Sequence, residues 1–286
     1  MTSLAGARPS PRRRMQNGLM LGLCWVAALS ALAPLLFVLI HVVSMGIRSV
    51  NWGFFTNLPA PVGEVGGGMK HALLGSLSIV GIAALIGLPI GVLGGVYLAE
   101  YRTHRLGNWI RFSADVLNGI PSIVLGVVAY TLLVVPMKRF SALAGGVALA
   151  LIMIPIVLRT TDEMIQLVPG SLREASLALG VPRWRTALTV VLPVARGGII
   201  TGILLAMARV SGETAPLLFT ALGNNFLNFH LDQPTASMPV QIYTYAIAPY
   251  DDWHRQAWAG ALVLVLIIAV VSLAARIATR DKFAMR

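Results

Sequence analysis

The residues best suited to chemistry in this sequence are two charges inside a largely apolar run. Arg209 and Glu213 are four residues apart near the end of the predicted span 188–213, and on a helix that spacing puts both side chains on one face. Ionisable groups inside a span are costly enough to indicate function. An arginine holds the oxygens of an oxyanion through parallel donors, and a carboxylate beside it would neutralise it when no anion is bound. The pair therefore predicts an anion pathway; a purely structural ion pair is the alternative.

Two further polar side chains flank a proline in an apolar stretch. Asn118 and Ser122 are four residues apart around Pro121, and a continuous helix would place them on one polar stripe. They would then line the same pathway, or instead hydrogen-bond a backbone carbonyl that the proline leaves unpaired. Thr214, directly after Glu213, is a weaker candidate for the pathway.

Motifs for catalysis and for cofactor binding are absent from the sequence. It contains no G-x-x-x-x-G-K-[ST] loop and hence no phosphate-binding loop for ATP. It also contains no G-x-S-x-G nucleophile motif. The histidines do not pair with one another or with the single cysteine, Cys24, at metal-ligand spacing. We therefore expect no catalytic residue, metal or cofactor on this chain.

The elements that must position these residues are membrane-spanning helices. Hydrophobic residues make up 57% of the 286 residues and charged residues only 12%, about half the charge density of a soluble domain. Runs of about 20 residues free of charge have the length that a helix needs to cross a bilayer. The sequence predicts an all-α membrane protein with six spans, at 18–46, 72–99, 114–136, 141–158, 188–213 and 256–275. The first resembles a signal peptide, but Pro34 and the continuing apolar run favour an uncleaved helix.

The placement of the basic residues predicts the orientation. Of the 22 lysines and arginines, fifteen fall on one side of the predicted bilayer and five on the other, with two inside the fifth span. The positive-inside rule then places both termini in the cytoplasm. The net charge of +11 is accounted for by this topology, so nucleic-acid binding is not expected.

The segment between the fourth and fifth spans has the start and stop signals of a short helix. Pro169 precedes a glycine in a turn signal, Ser171 and Glu174 have the spacing of a capping box, Gly180 suits a left-handed helix end and Pro182 prevents continuation. A helix of about two turns is too short to be stable alone, so within 171–182 we expect a helix that packs on a partner. Its apolar contacts would come from Leu172, Ala175, Leu179 and Trp184.

This segment resembles the signature loop of ABC importer permeases, E-A-A-x(3)-G-x(9)-I-x-L-P. Glu174, Ala175 and Gly180 match it, as do Leu192 and Pro193 at the required spacing, while Ser176 and Val190 replace the second alanine and the isoleucine. In that family the loop forms a coupling helix in a groove of a separate ATPase. The resemblance implies this role for Glu174, Ala175 and Gly180, with Leu172 and Trp184 as neighbouring contacts. The other interpretation is an amphipathic helix lying on the membrane.

Four more segments resemble the PstA-type permease subunit of phosphate-specific ABC importers: residues 118–126, 159–163, 208–219 and 238–243. The resemblance covers about residues 71–277 and implies the type I ABC importer permease fold. We expect a permease core at 71–277 with the coupling helix near 171–182. Residues 1–70 would hold the N-terminal tail, the first span and an external linker, and residues 278–286 a cytoplasmic tail.

The resemblance also implies an assembly. It predicts a multi-pass, non-catalytic subunit in the inner cell membrane that moves inorganic phosphate into the cytoplasm. Its partners would be a PstC-type permease, a PstB-type ATPase dimer that binds ATP and Mg, an extracytoplasmic PstS-type phosphate-binding protein, and the membrane lipid around the spans. Three alternatives stay open: an ABC permease for sulfate or molybdate, a secondary transporter or channel without an ATPase, and a membrane signalling scaffold.

Overall fold

The computed structural model describes residues 11–64, 66–102 and 104–279. Over these residues the secondary structure is helical, without a β-strand. The first ten residues and 280–286, which include most of the two predicted cytoplasmic tails, lie outside the described residues. The helices are α1 Pro11–Gly46, α2 Trp52–Thr56, α3 Lys70–Glu100, α4 Arg105–Gly119, α5 Ser122–Met137, α6 Ala142–Gln166, α7 Gly170–Ala178, α8 Arg183–Ser211, α9 Ala215–Thr220, α10 Met238–Ala246 and α11 Asp251–Thr279.

Five of these helices are long and apolar enough to cross a membrane, namely α1, α3, α6, α8 and α11. A sixth span results if α4 and α5, which meet at an angle of 105°, are counted as one bent span. The all-α membrane fold is therefore confirmed, and the six predicted spans correspond to the five long helices and the bent pair.

The third predicted span, 114–136, is wrong as a continuous helix. The backbone is extended at Ile120 (φ −75°, ψ 131°) and at Pro121 (φ −55°, ψ 135°). A proline disfavours helical backbone in the residue before it and has no N–H to continue the hydrogen-bond ladder. Asn118 therefore lies in the last turn of α4 and Ser122 opens α5, so the two do not share a helix face as predicted.

The fourth and fifth spans end at other residues than the sequence predicts. α6 extends to Gln166, eight residues past the predicted end at 158, because polar residues in its last two turns pair with α4. α8 ends at Ser211, so Glu213 lies beyond the helix in which it was predicted. Both corrections concern helix ends, whereas the apolar centres of these spans lie where they were expected.

The centre of the fold is a close contact between α3 and α6. The glycines Gly87, Gly91 and Gly95 recur every four residues along α3, and they lie against α6. A Cβ on Gly91 would come within 2.7 Å of the Val157 Cβ, and a Cβ on Gly95 within 2.5 Å of the Thr161 Cβ. Small residues at this spacing let two helices approach closely in a membrane, so α3 and α6 form a tightly packed pair.

The chain after α8 folds back into the bundle. Pro216 of α9 touches α5 so closely that a Cβ on Gly126 would lie 2.6 Å from its Cα, and Val240 of α10 is buried in the same apolar core as α3 and α6. The Met238 N–H donates to the Ser76 hydroxyl at 2.7 Å. This packing places α9 beside the end of α8, where the candidate anion residues lie.

Candidate functional site

The short helix α7 is present where its start and stop signals predict it, with one correction at its N-terminus. It spans Gly170–Ala178 and is followed by Gly180 at φ +78°, a backbone conformation that suits glycine. The predicted capping box is wrong: Pro169 occupies the N-cap position, without a side-chain capping bond, and Ser171 lies inside the helix. The preset φ of Pro169 suits it to starting a helix, which therefore begins at Gly170, two residues earlier than the capping-box spacing indicates.

One side of α7 and of the start of α8 is an uncovered apolar surface. It consists of Leu172, Ala175, Leu179 and Trp184, together with Glu174, and we call it the coupling face. Leu179 is 84% exposed and Trp184 66% exposed, and the other members are exposed too. These are the predicted coupling residues, except Gly180, which forms the turn between the two helices. A contiguous apolar surface of this kind indicates a protein or membrane contact.

The opposite side of α7 is held by a buried hydrogen bond that the sequence analysis missed. The hydroxyl oxygens of Ser176 and Thr186 lie 2.9 Å apart, and both residues are buried. Ser176 stands where the signature loop has its second alanine, so the substitution adds a bond between α7 and α8. Spacing alone could not reveal the pair, because the turn at Gly180 brings the two residues together.

The ends of α3 and α6 are joined to the middle of α4 by polar contacts beside α7. Arg111 of α4 donates to the buried carboxylate of Asp162 at 3.0 Å and to the Leu98 carbonyl of α3 at 2.7 Å. Gln166 donates to the same carboxylate at 2.7 Å. A buried carboxylate with several donors resists rearrangement, so this network joins α3, α4 and α6.

At the other end of the bundle, Arg209 and Glu213 meet at the turn between α8 and α9. The closest approach of the Arg209 Nε to a Glu213 carboxylate oxygen is 4.0 Å. This is too long for a hydrogen bond, so the carboxylate acts on the guanidinium electrostatically. The Arg209 side chain is 60% exposed and that of Glu213 19%. Thr214, at the N-cap of α9, follows directly, and all three predicted residues lie at this turn.

Asn118 and Ser122 lie on either side of the α4–α5 break. Asn118 is exposed and Ser122 half-buried. Ser122 precedes Gly126 by one helical turn and so lies on the face of α5 that touches Pro216 of α9. Ser122 is thereby on the α5 face directed at the segment that carries Thr214, whereas Asn118 belongs to a different helix.

A second charged cluster lies on α4 and α6, and the sequence analysis did not assemble it. Arg159 pairs with Asp115 at 2.7 Å and with Glu163 at 2.9 Å, and about half of each side chain is exposed. The predicted end of span four at 158 put Arg159 in a loop and so hid its i,i+4 spacing to Glu163.

Among the described residues, no group of three or more His, Cys, Asp or Glu residues could hold a metal ion.

Comparison with known proteins identifies the family. Residues 91–282 match the family described as the binding-protein-dependent transport system inner membrane component. The phosphate transport system permease protein PstA of Haemophilus influenzae is 46% identical over 94% of this chain and 96% of its own length. PstA of Yersinia pestis is 44% identical over 93% and 90%, and PstA 1 of Mycobacterium tuberculosis H37Rv is 39% identical over 92% and 87%.

The chain belongs to the PstA family. This confirms the family that the signature loop and the four further segments indicated. Solved structures agree on the fold. A chain of the MetNI methionine ABC transporter in an inward-facing conformation aligns with a TM-score of 0.57 at 19% identity, over 74% of this chain and 93% of that one. A chain of an amino acid ABC transporter, crystallised with histidines, gives 0.56 at 17% identity over 74% and 92%. This PstA-family chain therefore has the permease fold of type I ABC importers.

Proposed function

We propose that this chain is a transmembrane permease subunit of an ATP-driven importer that moves inorganic phosphate into the cytoplasm. The observation that carries the proposal is the likeness to PstA proteins over more than nine-tenths of the chain. The same likeness does not favour a sulfate or molybdate permease or an ATPase-independent transporter. The chain is a non-catalytic, multi-pass membrane subunit; the ATP and Mg that drive transport would be bound by a partner ATPase.

The proposed assembly is supported by the family and, for the ATPase, by a surface that this chain leaves uncovered. Its partners are an ATPase and a substrate-binding protein, and in detail a PstC-type permease, a PstB-type ATPase dimer and a PstS-type phosphate-binding protein. The coupling face is an uncovered apolar surface at one end of the bundle, and a groove in the ATPase suits it. In the proposed inner-membrane orientation, that end and both termini are cytoplasmic. The permease core is 71–277, between an N-terminal unit at 1–70 and a tail at 278–286.

The proposed pathway starts at the α8–α9 turn. Arg209 offers parallel donors to the oxygens of phosphate, and Glu213 at 4.0 Å offsets its charge and keeps the anion from binding too tightly. The Arg209 side chain is 60% exposed in this chain. An exposed guanidinium on a membrane span is more stable in a water-filled space or against another protein than in lipid. This supports a cavity between the two permeases at Arg209, with Ser122, Thr214 and Asn118 as further polar residues along it.

The proposed mechanism is alternating access. Phosphate released by the binding protein enters the cavity between the permeases. ATP binding closes the ATPase pair, α7 moves with it, and the spans attached to α7 change the side to which the cavity opens. Hydrolysis resets the assembly. This chain binds, orients and releases the anion, and no bond of phosphate is broken on it.

A charge in the coupling face tests the docking of the ATPase. Leu179→Asp is expected to reduce co-purification of the ATPase by about tenfold or more, because a carboxylate would replace a fully desolvated apolar contact. Pull-down of the tagged permease from detergent, with the ATPase quantified by immunoblot, measures the effect. Phe226→Asp is the matched control, since Phe226 is 75% exposed on the loop after α9, at the other end of the bundle. Equal ATPase recovery from the two variants would contradict docking through this face.

A further inference from the structure

Arg173 of α7 reaches two membrane-spanning helices at once. Its guanidinium forms an ion pair with the carboxylate of Glu100, the last residue of α3, and donates to the Ile165 carbonyl of α6 at 3.3 Å. The side chains of Arg173 and Glu100 are only 22% and 20% exposed. Arg173 thus lies on the inner side of α7, away from the coupling face.

The ion pair crosses a gap in the packing. Between α7 and the ends of α3 and α6 there is a cleft of about 460 Å³, and Glu100, Gln166 and Arg173 are among the residues that line it. Because α7 and α3 are not packed directly against each other across this cleft, a side-chain bridge is needed to transmit a displacement of α7 to α3. The Arg173–Glu100 pair is therefore a direct mechanical link from α7 to α3.

The helices at the far side of this link are joined to one another. α3 and α6 are packed through the glycine row, and Arg111 and Asp162 tie their ends to α4. On its other flank, α7 is tied to α8 by the Ser176–Thr186 bond. α7 is thus connected to two parts of the bundle, to α8 through Thr186 and to the α3–α6 pair through Arg173.

We propose that the Arg173–Glu100 pair transmits the movement of α7 to the α3–α6 pair, and that it couples ATP hydrolysis to the opening of the phosphate pathway. Arg173 and Glu100 are positioning residues: they contact neither phosphate nor ATP. The inference rests on the proposed docking of the ATPase on α7. Without the pair, the ATPase binds and hydrolyses ATP, but the spans no longer follow each cycle.

The test is a coupling ratio in the complete complex. The permease is reconstituted into vesicles with its partner permease, ATPase and binding protein, and phosphate imported is divided by ATP hydrolysed. Glu100→Gln and Arg173→Gln are each expected to lower this ratio by at least about fivefold, the lower end of ordinary coupling between sites. The double variant is expected to be no worse than either single one, because both remove the same contact. ATPase recovery stays at the wild-type level.

Two further variants make the result specific. Arg255→Gln removes another arginine–carboxylate ion pair, the one with Asp252 at 2.8 Å, at the opposite end of the bundle. It should leave the ratio unchanged. Arg173→Lys keeps the charge with a single ammonium in place of the guanidinium fork, so a smaller loss is expected; it provides the measurement if the glutamine variants fail to assemble.

Three outcomes would overturn the proposal: a ratio within twofold of wild type in both single variants, effects that multiply in the double variant, or loss of ATPase binding on Glu100→Gln. Failure of the docking proposal itself is separately visible, since Leu179→Asp would then retain the ATPase.

Discussion

Replacing Arg209 with glutamine is expected to lower phosphate uptake by about 100-fold. The variant loses the charge and the two parallel donors that would hold phosphate oxygens. Each charge-assisted hydrogen bond contributes about 1.5–3 kcal/mol, and a loss of about 3 kcal/mol is a factor of about 100. Uptake of labelled phosphate at matched membrane levels, with the partner subunits supplied, measures the effect. Assembly with the ATPase should be unchanged, because Arg209 lies at the end of α8 opposite to α7.

The chain offers a matched control for this experiment. Arg255 is also 60% exposed and also pairs with a carboxylate nearby in sequence, Asp252, whose side chain is 21% exposed. Arg255→Gln therefore removes an arginine that has the same exposure and a carboxylate partner but lies away from the α8–α9 turn. Phosphate uptake by this variant should stay within twofold of wild type. If Arg209→Gln transports as well as this control does, the Arg209–Glu213 pair is structural and the pathway lies elsewhere, with the Arg159 cluster the next place to test.

Replacing Gly180 with proline is expected to lower uptake by more than about tenfold while the chain still inserts. Gly180 has φ +78° and its N–H donates to the Leu177 carbonyl at 2.9 Å. Proline fixes φ near −65° and has no N–H, so the turn cannot form and Trp184 leaves the coupling face. Uptake, and ATPase activity of the assembled complex, report the change.

Asparagine at the same position separates backbone from side-chain effects. A Cβ at position 180 would have no atom within 4 Å, so space does not limit the substitution. Asparagine enters the left-handed region at lower cost than other residues with a Cβ, and Gly180→Asn should retain most of the uptake. Normal uptake and normal ATPase recovery in Gly180→Pro would show that the turn has no part in coupling.

The parts of the fold that follow from local pattern could be predicted from sequence. Apolar runs located the long helices, with ends that differ from the structure by up to eight residues, and the proline and glycine positions located α7 and its end. The break at Pro121 could not be predicted, because Pro34, Pro89 and Pro155 all lie inside continuous helices. Neighbouring helices satisfy the backbone groups that a membrane proline frees, so tertiary contacts decide whether a given proline bends or breaks the helix.

The parts of the site that depend on tertiary contact were the ones missed. Arg209, Glu213 and Thr214 are close in sequence, and the structure has them at one turn. The Ser176–Thr186 bond, the Arg159–Asp115 pair and the Arg173–Glu100 pair join residues from different helices. No spacing rule applies across the 44 or 73 residues that separate the partners of the two ion pairs. The polar ends of α4 and α6 were read as loop for the same reason: their charges are paired only when the helices have assembled.

The central claim is ATP-driven phosphate import, and uptake by the reconstituted complex tests it most directly. Vesicles that contain this permease with its partner permease, ATPase and binding protein would be supplied with labelled phosphate, sulfate or molybdate, with and without ATP. The account predicts that phosphate accumulates, that accumulation requires ATP, and that sulfate and molybdate do not accumulate. Accumulation of phosphate without ATP, or of another oxyanion in place of phosphate, would contradict it.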